Sequence, residues 1–145
     1  RLTTVAETFL FEAARAQLVE EVIRPALNAG TWVICDRFTL STLVYQGLAG
    51  GVEGKAIELL SKLATGGLEP DLYLVLWVSA ETGLARRQSR QADRMESKGE
   101  AFIRKVSAAY RKLAKQKRRK LVFIEAGGLV EAVRVMVWQQ VEKLL

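Results

Sequence analysis

The sequence predicts an α/β fold with a parallel β-sheet. Helical and strand patterns alternate along the 145 residues, as they do in chains built from βαβ units. The predicted strands are short and continuously apolar, which is typical of strands whose two faces are covered by helices. Half of the residues are apolar and 26% are charged, a balance typical of a soluble globular domain. We therefore interpret residues 1–145 as one domain or a large part of one.

The first helix is predicted over residues 5–28. Thr4 and Glu7 have the spacing of a capping box, in which two residues satisfy each other's backbone N–H groups. Pro25 lacks an amide N–H, so we expect a kink or a restart there, and Gly30 suits the left-handed conformation that ends many helices. Apolar residues recur at helical spacing, at Leu10, Ala14, Leu18 and Val22.

Three buried strands are predicted, at residues 31–35, 72–78 and 121–124. Ser79 is a good N-cap for the helix that follows the second strand. The remaining helices are predicted at residues 40–48, 53–65, 80–88, 98–116 and 129–144.

Composition limits the chemistry that the chain can carry. Cys35 is the single cysteine and there is no histidine, so a zinc-type site is excluded, and Cys35 is expected to be a buried free thiol. The sequence has no run of about 18 apolar residues, so no transmembrane helix is predicted. A reducing, cytoplasmic setting fits the single free cysteine. Residues 86–120 carry 14 basic and 3 acidic side chains, a block that attracts phosphate-bearing partners or is simply a solvated surface.

Two short stretches have the residue types of a nucleotide site. Phe11 and Arg15 are four residues apart on one helix face, where a ring can stack on a base and a guanidinium can bond the base edge. Asp36 and Arg37 follow the first strand, and ligands of parallel sheets gather at such carboxyl ends. Aspartate can hold Mg²⁺ through water and arginine can clamp a phosphate. A core phenylalanine, a surface arginine and an ordinary turn would give the same patterns.

Two further stretches point the same way. A helix start beyond Arg37 carries polar side chains within about one turn, at Ser41, Thr42, Tyr45 and Gln46. A polar segment at about 86–96 holds four arginines, and a mobile arginine can stabilise the charge of a transferring phosphoryl group. A basic surface loop is the alternative. The segment from Gly50 to Lys55 is not a phosphate loop, because it has three residues between Gly50 and Gly54 where four are needed, and Ala56 rather than serine or threonine follows the lysine.

In this order the stretches resemble the bacterial-type thymidylate kinase family over nearly the whole chain. The matching strings are Leu10-Phe-Glu-Ala-Ala-Arg-Ala-Gln17, Val22 to Gly30, Trp32 to Phe38, Ser41-Thr42 with Tyr45-Gln46-Gly47, Pro70 to Leu74, and Asp93-Arg94-Met-Glu96.

The resemblance implies an enzyme that phosphorylates dTMP to dTDP with ATP and Mg²⁺, and a homodimer. It implies that Phe11 stacks on the thymine, that Arg15 bonds its edge, and that Asp36 serves the magnesium and Arg37 the dTMP phosphate. Further implied roles are the base and sugar pocket for Ser41, Thr42, Tyr45 and Gln46, lid contacts for Arg87, Arg90 and Arg94, and adenine packing for Ala126 and Gly127.

The chain departs from the family pattern at one point. The family's P-loop NTPase-like sheet begins with a strand, a glycine-rich phosphate loop with its lysine, and a second strand, and none of these is in this sequence. In the family's sheet the missing first strand lies between strands 31–35 and 72–78, so we expect both to lack a partner on their facing edges. We therefore expect an incomplete domain and no kinase activity from these residues alone.

Other functions share many of these features. A deoxynucleoside kinase or another nucleoside monophosphate kinase has the same sheet, acid–arginine pair and arginine lid. A non-catalytic nucleotide- or nucleic-acid-binding protein is an alternative from another class, and the basic block favours it slightly.

Overall fold

The computed structural model describes residues 2–87, 98–116 and 120–145. It consists of two compact units, Arg1–Glu69 and Pro70–Leu145, which are described separately. In the N-terminal unit, helix α1 (Thr4–Leu18) continues through a π-helical segment, Val19–Ile23, into α2 (Arg24–Asn28). Helix α3 (Thr39–Thr42) continues as a second π-helical segment, Leu43–Leu48, and α4 spans Gly54–Thr65.

The ends of the first helix follow from local chemistry. The Ala6 N–H donates to the Thr3 side chain at 3.2 Å, so the N-cap is Thr3 and the predicted capping box of Thr4 with Glu7 is wrong. Pro25 lies in the first turn of α2, where its missing N–H does no harm, so the predicted restart is confirmed. Gly30 has φ +73° and ends the helix as predicted.

Residues 31–35 do not form the strand that the sequence predicts. Within the described residues the sheet has two strands, and neither includes this segment. Trp32 is 59% exposed and Ile34 is 98% exposed, and Cys35 is exposed as well, so its predicted burial is wrong. The reason is that a strand needs the backbone hydrogen bonds of a neighbour, and an apolar sequence alone does not supply them.

The C-terminal unit contains the parallel sheet. Strand β1 (Tyr73–Trp77) pairs with β2 (Leu121–Glu125) from Tyr73↔Leu121 to Trp77↔Glu125. The helices are α5 (Ala80–Arg87), α6 (Glu100–Ala114) and α7 (Val130–Val141), which ends in a 3₁₀ turn, Glu142–Leu144.

The second and third predicted strands and the α/β class are therefore confirmed. Ser79 caps α5 as predicted, because its Oγ accepts from the Thr82 N–H at 3.1 Å. The core of this unit lies between β1, β2 and one face of α6, where Val75, Ile124 and Leu113 are buried. None of the helices within the described ranges has the length and hydropathy needed to cross a bilayer.

Candidate functional site

The buried face of α1 is polar. Thr8, Glu12 and Arg15 follow one another at helical spacing, and each is at most 8% exposed. The apolar residues whose spacing predicted the helix lie elsewhere, with Leu10 60% exposed. Because buried polar groups require partners, the neighbours of this face define a candidate site.

Arg15 joins α1 to the segment that follows Arg37. Its Nη2 donates to the Thr42 hydroxyl at 2.8 Å and to the Phe38 carbonyl at 3.3 Å. The guanidinium carbon lies 5.5 Å from the centre of the Phe38 ring, which is within the range of a cation–π contact. Arg15 and Thr42 are both buried, so these bonds form in a low-dielectric environment where they are strong.

Glu12 balances the charge of Arg15. Its Oε2 lies 2.7 Å from Arg15 Nη1, and its Oε1 accepts from the Ser61 hydroxyl of α4 at 2.7 Å. Among the described residues, neither Oε2 nor Nη1 makes a hydrogen bond of good geometry, so charge rather than a directional bond holds these two atoms together.

A second buried contact ties α1 to the segment Leu43–Leu48. Gln46 Nε2 donates to Glu7 Oε1 at 2.8 Å, and both residues are at most 4% exposed. The chain turns tightly after this segment at Gly50. A Cβ atom there would lie 2.6 Å from the Gln46 carbonyl and 2.7 Å from that of Tyr45, so only glycine fits.

Asp36 and Arg37 lie on an exposed bend that follows residues 31–35. Arg37 has φ +65°, a left-handed conformation that costs a non-glycine residue about 1–2 kcal/mol. Its guanidinium lies 5.3 Å from the centre of the Tyr45 ring. Strain of this kind is common at functional sites, and here it fixes the direction in which a cationic side chain leaves the turn.

The thiol of Cys35 is close to this turn. Its Sγ lies 3.5 Å from the Arg37 carbonyl. Although the residue as a whole is exposed, desolvation raises the pKa of the thiol, the Arg15 charge opposes the shift, and Asp36 adds to it.

The structure brings some of the predicted site residues together. Arg15 contacts Thr42, and Arg37 contacts the ring of Tyr45. Gln46 donates to Glu7. Phe11 is 42% exposed, and the ring that lies against Arg15 is Phe38. Ser41 is half-buried. The roles of these residues in binding remain predictions.

The predicted lid and adenine residues belong to the C-terminal unit. Arg90 and Arg94 lie outside the described residues, as does the side chain of Arg87, whose backbone ends α5. Ala126 and Gly127 follow β2, and the Arg86 guanidinium donates to their carbonyls at 3.0 and 3.2 Å. The loop after β2 is thus held against the end of α5.

Three residues of the N-terminal unit were missed at the level of sequence: Glu7, Glu12 and Ser61. Two sequence signals could have identified Glu12 and Ser61. Glu12 and Arg15 are an i, i+3 pair of opposite charge. In α4, Ile57, Ser61 and Thr65 recur every four residues and share one buried face, so the serine hydroxyl must find a partner there.

Known proteins resemble this chain over nearly its whole length. A family model described as thymidylate kinase matches residues 1–137. The thymidylate kinase of Rhodopseudomonas palustris (strain BisB18) is 42% identical over 146 aligned positions, covering 98% of this chain and 64% of the relative. That of Synechococcus sp. (strain JA-3-3Ab) is 44% identical over 144 positions, covering 99% and 70%. That of Bradyrhizobium sp. (strain ORS 278) is 44% identical, covering 97% and 64%. The chain thus spans 64–70% of the length of these curated relatives.

Proposed function

Because this chain belongs to the thymidylate kinase family, we propose that the full-length polypeptide containing it phosphorylates dTMP to dTDP with ATP. The observation that carries the proposal is the buried contact between Arg15 and Thr42, formed directly beside the turn that presents Arg37. A fixed guanidinium and a hydroxyl at one point suit the edge of a planar base, and an exposed arginine nearby suits its phosphate.

The pyrimidine pocket is proposed to lie in the N-terminal unit. Arg15 and Thr42 bond the base edge, and Phe11, which is exposed, stacks on the base. The Tyr45 ring shapes the sugar side, since it is half-buried and already contacts the Arg37 guanidinium. Ser41 and Gln46 complete the proposed pocket.

The phosphate region is proposed to include Arg37 and Asp36. Among the described residues there is no group of three or more side chains that could hold a metal ion. One carboxylate such as Asp36 nevertheless suits Mg²⁺, which keeps several waters and takes its other ligands from substrate phosphates. When bound, Mg²⁺ would neutralise phosphate charge, and Arg37 would orient the dTMP phosphate for attack.

The proposed reaction is a direct in-line transfer. An oxygen of the dTMP phosphate forms a bond to the γ-phosphorus of ATP while the bond from that phosphorus to ADP breaks, giving dTDP and ADP. Arg87, Arg90 and Arg94 are proposed to stabilise the charge that spreads over the equatorial oxygens. Ala126 and Gly127 are proposed to pack against the adenine, which the two bonds from Arg86 support by fixing that loop.

We also propose that residues 1–145 do not catalyse the transfer alone. The sequence contains no Gly-x4-Gly-Lys-Ser/Thr loop, the usual cradle for ATP phosphates. The exposed side chains of Trp32 and Ile34 suit a strand that another segment would pair and cover.

Two copies are proposed to associate through the apolar face of the first helix. Five large apolar side chains of this helix and its π-helical continuation are 39–60% exposed, and exposed apolar surface of this kind suits a protein–protein contact: Val5, Phe9, Leu10, Leu18 and Val22. A cytoplasmic location is proposed because a free, exposed cysteine persists in reducing compartments.

A coupled ADP-release assay on the full-length protein tests the proposed function. We expect turnover with dTMP, and much slower turnover with dUMP, dCMP and AMP. Equal rates with all four would refute the assignment. Binding of thymidine as tightly as dTMP would indicate a nucleoside kinase instead, and oligonucleotide binding with a steep salt dependence would indicate a nucleic-acid-binding protein.

A further inference from the structure

The buried pair of Glu12 and Arg15 is built from three segments of the N-terminal unit. α1 supplies both charges, α4 supplies the Ser61 hydroxyl, and Thr42 lies at the junction of α3 and the π-helical segment. The side chains of Glu12 and Arg15 are only 6% and 9% exposed. Every contact of the pair is therefore shielded from water.

Stability alone is a poor explanation for two charges at this position. Burying an ion pair removes both charges from water, and apolar residues of similar volume often stabilise such a contact as well or better. The pair does restrict the orientation of Arg15. A free arginine side chain samples many rotamers, with an entropy worth about 2 kcal/mol, and the contacts with Glu12 help to hold it in one of them.

The contacts of Arg15 fix the plane of its guanidinium group. Nη1 faces Glu12 at 2.7 Å, while Nη2 donates to the Phe38 carbonyl and the Thr42 hydroxyl. The contacts thus involve two different nitrogens of the guanidinium, and a planar group held at two of its nitrogens cannot rotate freely.

Ser61 fixes the orientation of the Glu12 carboxylate in the same way. Its hydroxyl binds Oε1 at 2.7 Å, so that Oε2 is the oxygen left for Arg15. Ile57 and Thr65, one turn before and after Ser61, are buried and hold this face of α4 against its neighbours. The carboxylate is thereby held between a donor on α4 and a cation on its own helix.

We propose that Glu12, anchored by Ser61, is a positioning residue that aims Arg15 at the edge of the pyrimidine base. The inference rests on the proposed function, in which Arg15 bonds that edge. It predicts that changes at Glu12 act on the nucleotide monophosphate and leave the ATP side of the reaction alone.

The test is steady-state kinetics of Glu12→Gln in the full-length protein. Glutamine keeps the shape of glutamate and removes its charge. We expect the KM for dTMP to rise about tenfold, which corresponds to about 1.4 kcal/mol, with kcat within about threefold and the KM for ATP unchanged. Ser61→Ala removes one hydrogen bond and should raise the KM for dTMP about threefold. Glu58→Gln, at an exposed glutamate on α4, is the matched control and should change neither constant.

The outcomes separate positioning from a structural role. Loss of folded protein lowers kcat per mole and leaves KM unchanged, so that pattern in Glu12→Gln would overturn the inference, as would an equal rise of both KM values. If Glu12→Gln does not fold, Ser61→Ala decides by the same criterion. If the unmodified protein turns over dTMP but neither variant changes the KM for dTMP, the positioning role of Glu12 is refuted and the proposed function is not. If the unmodified protein does not turn over dTMP, both the proposed function and the positioning role are refuted.

Discussion

Replacing Arg15 with methionine should destabilise the protein strongly. The change removes the positive charge and keeps most of the side-chain length, leaving the Glu12 carboxylate buried with the Ser61 hydroxyl as its partner. Thr42 and the Phe38 carbonyl lose their donor at the same time. Removing one member of a buried ion pair costs about 3–5 kcal/mol. Domains unfold with about 5–15 kcal/mol, so the variant should still fold but with much of its stability gone.

Urea unfolding of the full-length protein measures this loss, with the slope m checked for each variant. Arg104→Met is the matched control, because Arg104 forms an exposed pair with Glu100 and its side chain is 49% exposed. Exposed pairs contribute about 0–1 kcal/mol, so the control should change little.

The double variant Glu12→Met with Arg15→Met should recover most of the lost stability, since replacing both members of a buried pair by apolar groups is often neutral. A loss below about 1 kcal/mol for Arg15→Met, no larger than that of Arg104→Met, would show that the buried pair does not hold these segments together.

Four further predictions concern other parts of the chain. In residues 1–145, Cys35 should react completely with a thiol reagent because it is exposed, but more slowly at pH 8 than a cysteine peptide, since its raised pKa leaves less thiolate. Cys35 of the full-length protein should react more slowly still. Equal rates for residues 1–145 and the full-length protein would argue against a covering strand. Arg37→Gly should leave the unfolding free energy within about 1 kcal/mol, because glycine adopts positive φ without strain, while dTMP binding measured by titration weakens at least tenfold; unchanged binding would exclude Arg37 from the phosphate site. Ser79→Ala should cost about 1 kcal/mol in urea unfolding through loss of the α5 cap, and no change would mean that the cap contributes nothing. Val22→Glu should shift the mass measured by light scattering from dimer to monomer, whereas Glu21→Gln, beside it, should not; a dimeric Val22→Glu would refute the proposed interface.

The elements that the sequence predicted correctly are either fixed by local chemistry or have a partner within the described residues. β1 and β2 have apolar runs, and each pairs with the other. Ser79 caps α5 because the hydroxyl and the N–H that it binds are three residues apart. The restart at Pro25 follows from the missing amide N–H.

The errors come from features that depend on distant parts of the chain. Residues 31–35 have a strand composition, but no described residue pairs with them. The apolar spacing of Leu10 and Val22 identifies the helix correctly, yet these side chains are exposed and the polar face is buried. Which face of a helix is buried depends on what packs against it, and the partner of Glu12 is Ser61, 49 positions along the chain.

The candidate site was predicted in part. Arg15, Thr42, Arg37 and Tyr45 were each named from the sequence as site residues. The contacts of Arg15 with Thr42 and of Arg37 with Tyr45 were not predicted and come from the structure. The sequence did not reveal that Arg15 is held by a buried carboxylate, because an i, i+3 pair is common on solvated helices and its burial follows only from the fold.

A structure of the full-length protein crystallised with dTMP would examine the central claim most directly. We expect the pyrimidine edge within about 3 Å of the Arg15 guanidinium, as in an ordinary hydrogen bond, with the phosphate of the same molecule against Arg37. A dTMP molecule bound with its base away from Arg15, or with its phosphate far from Arg37, would contradict the account.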